Sequence, residues 1–250
     1  MKFIERCPST WEELQDYVAL LLNQAGYHAT SPCTIDTIRG QVEVDVLVES
    51  PDALVKKIIC ECKFWKTAVP KEKVHAFRTV VHDSGAALGL LISRAGFQSG
   101  AMEAAKLSNV QLLTWEEFTD LIADKWTIEK LKKIKKRCDR VAEYVNPLHF
   151  PFEKLKESDK GRYIVASEKY TDLKMTCWLL TKSALKNDLP FLEKCYSIEK
   201  FSSIVEYLNH LEAEVDKAVS VFENITASSG IVIPEECFEK LEAYTFMNLD

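Results

Sequence analysis

The chain has 250 residues, 47% of them hydrophobic and 28% charged, a balance that excludes a disordered or low-complexity chain and suits one large domain or two modest ones. Its longest apolar runs, such as 18–22 and 86–92, fall far short of a bilayer's thickness, so no membrane segment is expected and a cytoplasmic location is. The net charge of −6 speaks against a nucleic-acid partner until its distribution is considered: residues 126–150 carry seven Lys and Arg against three Asp and Glu, between two acidic blocks.

In residues 10–25, Trp11, Leu14, Tyr17, Val18, Leu21 and Leu22 recur at helical spacing. Ser9 or Thr10 can cap this helix, Glu12 and Glu13 suit its first turn, and Gly26 ends it. An extended stretch over 31–39 follows, broken by Gly40. Residues 42–48 alternate strictly, with Val44, Val46 and Val48 on one face and Glu43, Asp45 and Leu47 on the other. Ser50, Pro51 and Asp52 mark a turn. The strand expected at 58–64 sends Ile59, Glu61 and Lys63 to one face, and Ile58, Cys60, Cys62 and Phe64 to the other.

If these strands pair as a hairpin, Asp45 lies near Glu61, with Lys63 one pleat further along. Two carboxylates and an ammonium on one sheet face are costly unless they bind something. A divalent cation answers that cost. Hard oxygen ligands suit Mg²⁺ or Mn²⁺, and an adjacent lysine can orient or activate the attacking water.

Pro70 opens a helix to about residue 83, with Val74, Phe77, Val80 and Val81 on its buried stripe, and Gly85 closes it. Residues 87–93 read as a strand covered on both faces, so a strand, a helix and a strand in that order predict a parallel pair. A helix at 101–107, a strand at 110–114 and a helix at 115–124 complete an α/β domain over 1–125, in the order αβββαβ followed by αβα. Residues 128–145 form a basic helix, whose bland reading is a solvated connector and whose functional reading is a surface that tracks phosphates, Lys132 and Lys136 included. Residues 126–150 thus count as basic helix and linker, the linker being NPLHFP at 146–151. Over 151–250 helices are expected at 161–185, 190–198 and 199–225, with a turn at Ser228, Ser229 and Gly230. This all-helical domain shows no catalytic constellation and is read as an interaction or oligomerisation unit. The eight cysteines include no C-x-x-C pair and read as buried free thiols.

With Asp45, Glu61-Cys62-Lys63 and the helix after Pro70 in place, residues 14–118 resemble the PD-(D/E)xK nuclease superfamily, and within it the Mrr-like restriction endonucleases. LQDYVALLLNQAGY (14–27) is similar to the family's opening helix, RGQVEVDVLV (39–48) to the strand with the metal-binding aspartate, IICECKFWK (58–66) to the strand with the (D/E)-x-K pair, and LISRAGFQSGAMEAA (91–105) to a later strand, loop and helix. The resemblance implies a restriction-endonuclease-like αβββαβ core with a mixed sheet. It makes Asp45, Glu61 and the backbone carbonyl of Cys62 the ligands of Mg²⁺ or Mn²⁺, and Lys63 the residue that positions the attacking water. The family's first-helix glutamate falls at Gln15, which brings no charge but can still bond a water at the metal. Glu43 reads as a rim carboxylate, and Lys66, Arg78 and Arg94 as possible phosphate contacts. The implied activity is hydrolysis of DNA in restriction or antiphage defence. The alternatives are a nuclease fold without turnover that binds or regulates nucleic acid, and a nuclease for branched DNA or RNA.

Overall fold

In the computed structural model, residues 3–49, 57–146, 150–180 and 201–233 are described. The expected turn at 50–52, the helix at 190–198, the end of the helix expected at 161–185 and half of the linker, 147–149, lie outside them. The chain divides into two compact units, Arg6–Trp126 and Met1–Glu5 with Thr127–Asp250.

The first unit opens with α1 (Trp11–Gln24), capped by Thr10, whose side chain accepts from the Glu13 amide. Leu14, Val18, Leu21 and Leu22 are buried, as the helical spacing predicts. Seven strands follow: β1 (His28–Thr30), β2 (Cys33–Thr37), β3 (Gly40–Val44), β4 (Val46–Glu49), β5 (Lys57–Lys63), β6 (Leu88–Ser93) and β7 (Val110–Thr114), with α2 (Lys71–Asp83) between β5 and β6 and α3 (Ser99–Ala105) between β6 and β7. The main sheet runs β1-β4-β5-β6-β7. Its β1-β4-β5 part is antiparallel and its β5-β6-β7 part parallel, so the sheet is mixed as expected.

Two elements differ from the sequence reading. The strand expected over 42–48 is broken at Asp45. Its first half, β3, pairs with β2 in a separate two-stranded ribbon, and its second half, β4, joins the main sheet. The alternation survives the break because Val44, Val46 and Val48 are all buried, so the pattern of side chains gives no sign that the backbone has changed partners. The helices expected at 115–124 and 128–145 are one, α4 (Trp115–Tyr144). No Gly or Pro stands between Asp124 and Ile128 to end it.

Between α2 and the sheet lies a core of Ile59, Val74, Phe77, Val81, Leu91 and Val110, with Leu47 packed against it. Gly89 on β6 lets α2 sit this close. A Cβ there would lie 2.5 Å from Val81 Cγ2 and 2.9 Å from Phe77 Cε1. Gly89→Ala is therefore expected to cost about 1–3 kcal/mol by overpacking, read as a lower thermal midpoint in circular dichroism. An unchanged midpoint would show that α2 is not seated as described.

The second unit contains the rest of α4, a 3₁₀ turn at Phe152–Lys154, α5 (Glu157–Leu179) and α6 (Ile204–Ser228). Four basic residues of α4 are answered by acids of α6: Lys130 and Lys133 meet Glu212, Arg137 meets Asp216, and Arg140 meets Glu223. Phe150, placed in a linker by the sequence reading, is instead core. Its ring stacks on Tyr163 at 4.3 Å, and Tyr144 stacks on Phe222 at 5.1 Å. Buried Asp159 ties the start of α5 to the end of α6 by accepting from the Ser228 and Ser229 hydroxyls.

Candidate active site

Asp45 occupies the bend where the chain leaves the β2-β3 ribbon for the main sheet. The β4/β5 register pairs Val46 with Cys60 and Leu47 with Ile59, and one further step sets Asp45 across from Glu61. Past Cys60 the β4/β5 ladder ends, and the polar groups it would have used are taken by side chains, as buried backbone requires. The Cys62 amide donates to Asp45 Oδ2 at 2.6 Å. The Asp45 carbonyl accepts from Gln15 Nε2 at 2.9 Å. A strand residue sends its N–H and C=O toward the same neighbour. The Cys62 carbonyl thus also faces the bend, and it accepts from the Trp11 indole N–H at 3.2 Å. Trp11 and Gln15 are one turn apart on α1, so one face of that helix holds both sides of the sheet break.

Glu61 and Lys63 share a face of β5 and form an ion pair, with side chains 24% and 19% exposed. Burial, and then the negative charge of Glu61, push the Asp45 carboxyl up to about 6, against a smaller opposing pull from the Cys62 amide and Lys63. The Cys60 and Cys62 thiols are fully buried and pushed far up by burial, so they stay neutral beside these carboxylates. Among the described residues no group of three His, Cys, Asp or Glu side chains converges as a metal cage. The register sets Asp45 across from Glu61, and the Cys62 carbonyl, with one lone pair taken by Trp11, lies on the side of β5 where the Cys62 amide meets Asp45. All three donors are hard oxygens. Such a set fits Mg²⁺, which is ordinarily held by one or two carboxylates, with water and substrate phosphate completing its shell.

The other residues singled out from the sequence are more dispersed. Gln15 is 5% exposed, and its amide is engaged with the Asp45 backbone. Glu43, exposed on β3, adds slightly to the negative potential at Asp45. Lys66 is exposed just beyond β5. Arg94 lies over the Phe64 ring at 4.5 Å. Arg78 donates to the Ala104 carbonyl at 2.9 Å. Lys132 pairs with Glu129 within α4, and Lys136 is exposed on the same helix, both in the second unit. Two residues went unmarked in the sequence reading. Trp11 counted only as part of an apolar stripe, although an indole four residues before Gln15 at a helix start is a hydrogen-bond donor on the same face. Trp65 has the Lys63 and Lys73 ammonium groups 5.9 and 6.0 Å from its ring.

The restriction endonuclease family Mrr_cat matches residues 8–122, a little under half of the chain. This segment belongs to the Mrr-like restriction endonucleases. The Mrr-like domain thus covers α1, the whole mixed sheet, and Asp45, Glu61 and Lys63. No curated protein matches the chain. A crystal structure of a protein of unknown function, AF1548, overlays 84% of this chain and 99% of its own with 13% identity and a TM-score of 0.40, a likeness too slight to build on. No described helix is long and apolar enough to cross a membrane.

Proposed function

We propose that the Mrr-like domain is a divalent-cation-dependent endodeoxyribonuclease that works through Asp45, Glu61 and Lys63, in restriction or antiphage defence. The observation that carries this reading is the sheet break itself. It sets Asp45 against β5 beside the Glu61–Lys63 pair, in surroundings that push the Asp45 carboxyl up to about 6. A bound Mg²⁺ or Mn²⁺ would be held by the Asp45 and Glu61 carboxylates and the Cys62 carbonyl, and it would supply Lewis-acid polarisation of the scissile phosphate. Glu61 keeps the Lys63 ammonium at the site, where it can orient the attacking water and face the charge that develops on the phosphate. The Cys62 amide fixes one Asp45 oxygen, which leaves the other for the ion. Gln15 and Trp11 hold the backbone that carries both strands. The helical unit would supply a partner or oligomer contact.

Incubating supercoiled plasmid with the protein in Mg²⁺ or Mn²⁺, and in EDTA, tests this reading. Cation-dependent nicking or linearisation is expected, with linear, branched and RNA substrates run in parallel to fix the substrate class. No cleavage in any arm would favour the second reading, a nuclease fold that binds nucleic acid without turnover. Gln15 points that way, since its amide brings no negative charge to the site and is spent on the Asp45 carbonyl.

Trp11 offers a finer test. Trp11→Phe keeps the ring but removes the N–H that holds the Cys62 carbonyl. Partners in the outer shell of a metal site are worth about 10–100-fold in metal affinity or activity. The Mg²⁺ concentration for half-maximal cleavage is expected to rise about 10-fold, with KM for DNA unchanged. Equal half-saturation in both proteins would remove Trp11 from the site.

A further inference from the structure

The helical unit contains a cavity of about 330 Å³ between α4 and α5, within the size range of small-ligand sites. Lys135 lines it. That lysine is 4% exposed and makes no hydrogen bond or ion pair among the described residues. A buried ammonium without a partner is costly, and burial pushes its pKa down. Its near neighbours do little to offset that cost. Cys138 and Cys177 are buried thiols, and contact with the Cys138 sulfur, together with burial, holds the Cys177 thiol well above its usual range. Both sulfurs leave the lysine's charge unanswered, and Asp139 acts on it only through space. Lys174 adds a second cation to the lining. Asp139, Glu143 and Asn146 also line the cavity, and its apolar wall is exposed, Trp178 at 68% and Met175 at 44%.

We propose that this cavity is a binding site for a small organic anion, with Lys135 taking the phosphate or carboxylate head and Trp178 and Met175 taking a flat apolar body. The observation behind it lies wholly within residues 135–178, so it stands or falls independently of the nuclease reading. Two ligand classes share this chemistry, nucleoside monophosphates and aromatic carboxylates. Lys135, the buried cation of the lining without an ion-pair partner among the described residues, selects a single anionic head beside the acids Asp139 and Glu143. A broad indole in the wall selects a planar ring, which gains dispersion and apolar burial against it.

Thermal unfolding of the full chain in EDTA, with adenosine 5′-monophosphate or indole-3-acetate at 1 mM, tests the site. Adenosine and inorganic phosphate serve as controls that carry only the ring or only the anion. At least one of the two complete probes is expected to raise the midpoint by about 3 °C, as binding at a tenth of that concentration would do, and which one does so identifies the class. Each control is expected to give much less. Lys135→Met replaces the ammonium with an apolar chain of similar length. It is expected to raise the midpoint of the ligand-free protein and to abolish the shift, and Trp178→Ala to weaken it. The proposal is overturned if neither complete probe shifts the midpoint, if the shift survives in Lys135→Met, or if Lys135→Met unfolds at a lower temperature than the unsubstituted chain.

Discussion

Lys63→Ala is expected to slow plasmid cleavage about 100- to 1000-fold under single-turnover conditions in saturating Mg²⁺, the usual cost of removing one group aimed at developing charge. DNA affinity is expected to change little, because binding rests on many phosphate contacts and this residue supplies at most one. The loss should therefore fall on the rate and spare KM. Folding is not at risk. Lys63 ends β5, its side chain is partly exposed, and its backbone is held by the Arg94 amide donating to its carbonyl at 3.0 Å. Lys63→Arg keeps the charge but sets a planar fork where a compact ammonium stood, so it should recover only part of the rate. Cleavage by Lys63→Ala at the unsubstituted rate would take the lysine out of the chemistry and leave the ion pair with Glu61 as a structural feature.

Asp45→Asn is expected to abolish cation-dependent cleavage, by at least about 1000-fold, while making the metal-free protein more stable at neutral pH. The sign follows from the carboxyl's surroundings. In the folded, metal-free protein its pKa is raised to about 6, from 3.8 in an unperturbed carboxyl, so the unfolded chain gives up its proton first as pH rises. Stability present below pH 4 is lost progressively between pH 4 and 6, and the anion is a burden above that. Asparagine never takes the charge, and its amide oxygen can still accept from Cys62. The gain in EDTA should be absent at pH 4, grow up to pH 6 and level off above it. Because the site is partly open to water, screening trims the gain to on the order of 1 kcal/mol, about 2–4 °C in the midpoint. Adding Mn²⁺ should reverse the order by stabilising only the unsubstituted protein. If Asp45→Asn destabilised the metal-free protein at pH 8, the carboxyl would be in an ordinary, relieved environment and the site would have no vacancy for a cation.

Much of this site can be read in the sequence because sheet geometry is periodic. Alternation along β4 and β5 decides which side chains share a face, and pairing fixes Asp45 across from Glu61 once the hairpin is assumed. What alternation cannot reveal is a change of partner. At Asp45 the chain passes from one strand pairing to another while Val44 and Val46 both stay buried, so the side-chain pattern runs on unbroken. The two α1 side chains that secure the break do so with hydrogen bonds spanning 30 and 51 residues, and no local pattern records these. The basic stretch of α4 is only partly legible, as a solvated connector or as a surface that tracks phosphates. Its cations look like a phosphate-tracking surface when taken alone. On α6, Glu212, Asp216 and Glu223 recur at helical intervals that match Lys130, Lys133, Arg137 and Arg140, and the two rows meet. Comparing charge periodicity between the two helices would have found this. The helix expected to end at 124 instead runs on, since no Gly or Pro is there to stop it, while the division between the two compact units does fall inside it, after Trp126.

The most direct measurement is an anomalous difference map from a crystal of the protein soaked in Mn²⁺, collected above and below the manganese edge. The expected result is one peak within coordination distance of both the Asp45 and Glu61 carboxylates and the Cys62 carbonyl, and no such peak in Asp45→Asn. A map with no peak there, or with manganese bound only at other carboxylates, would contradict the assignment of this sheet break as a metal-dependent nuclease centre.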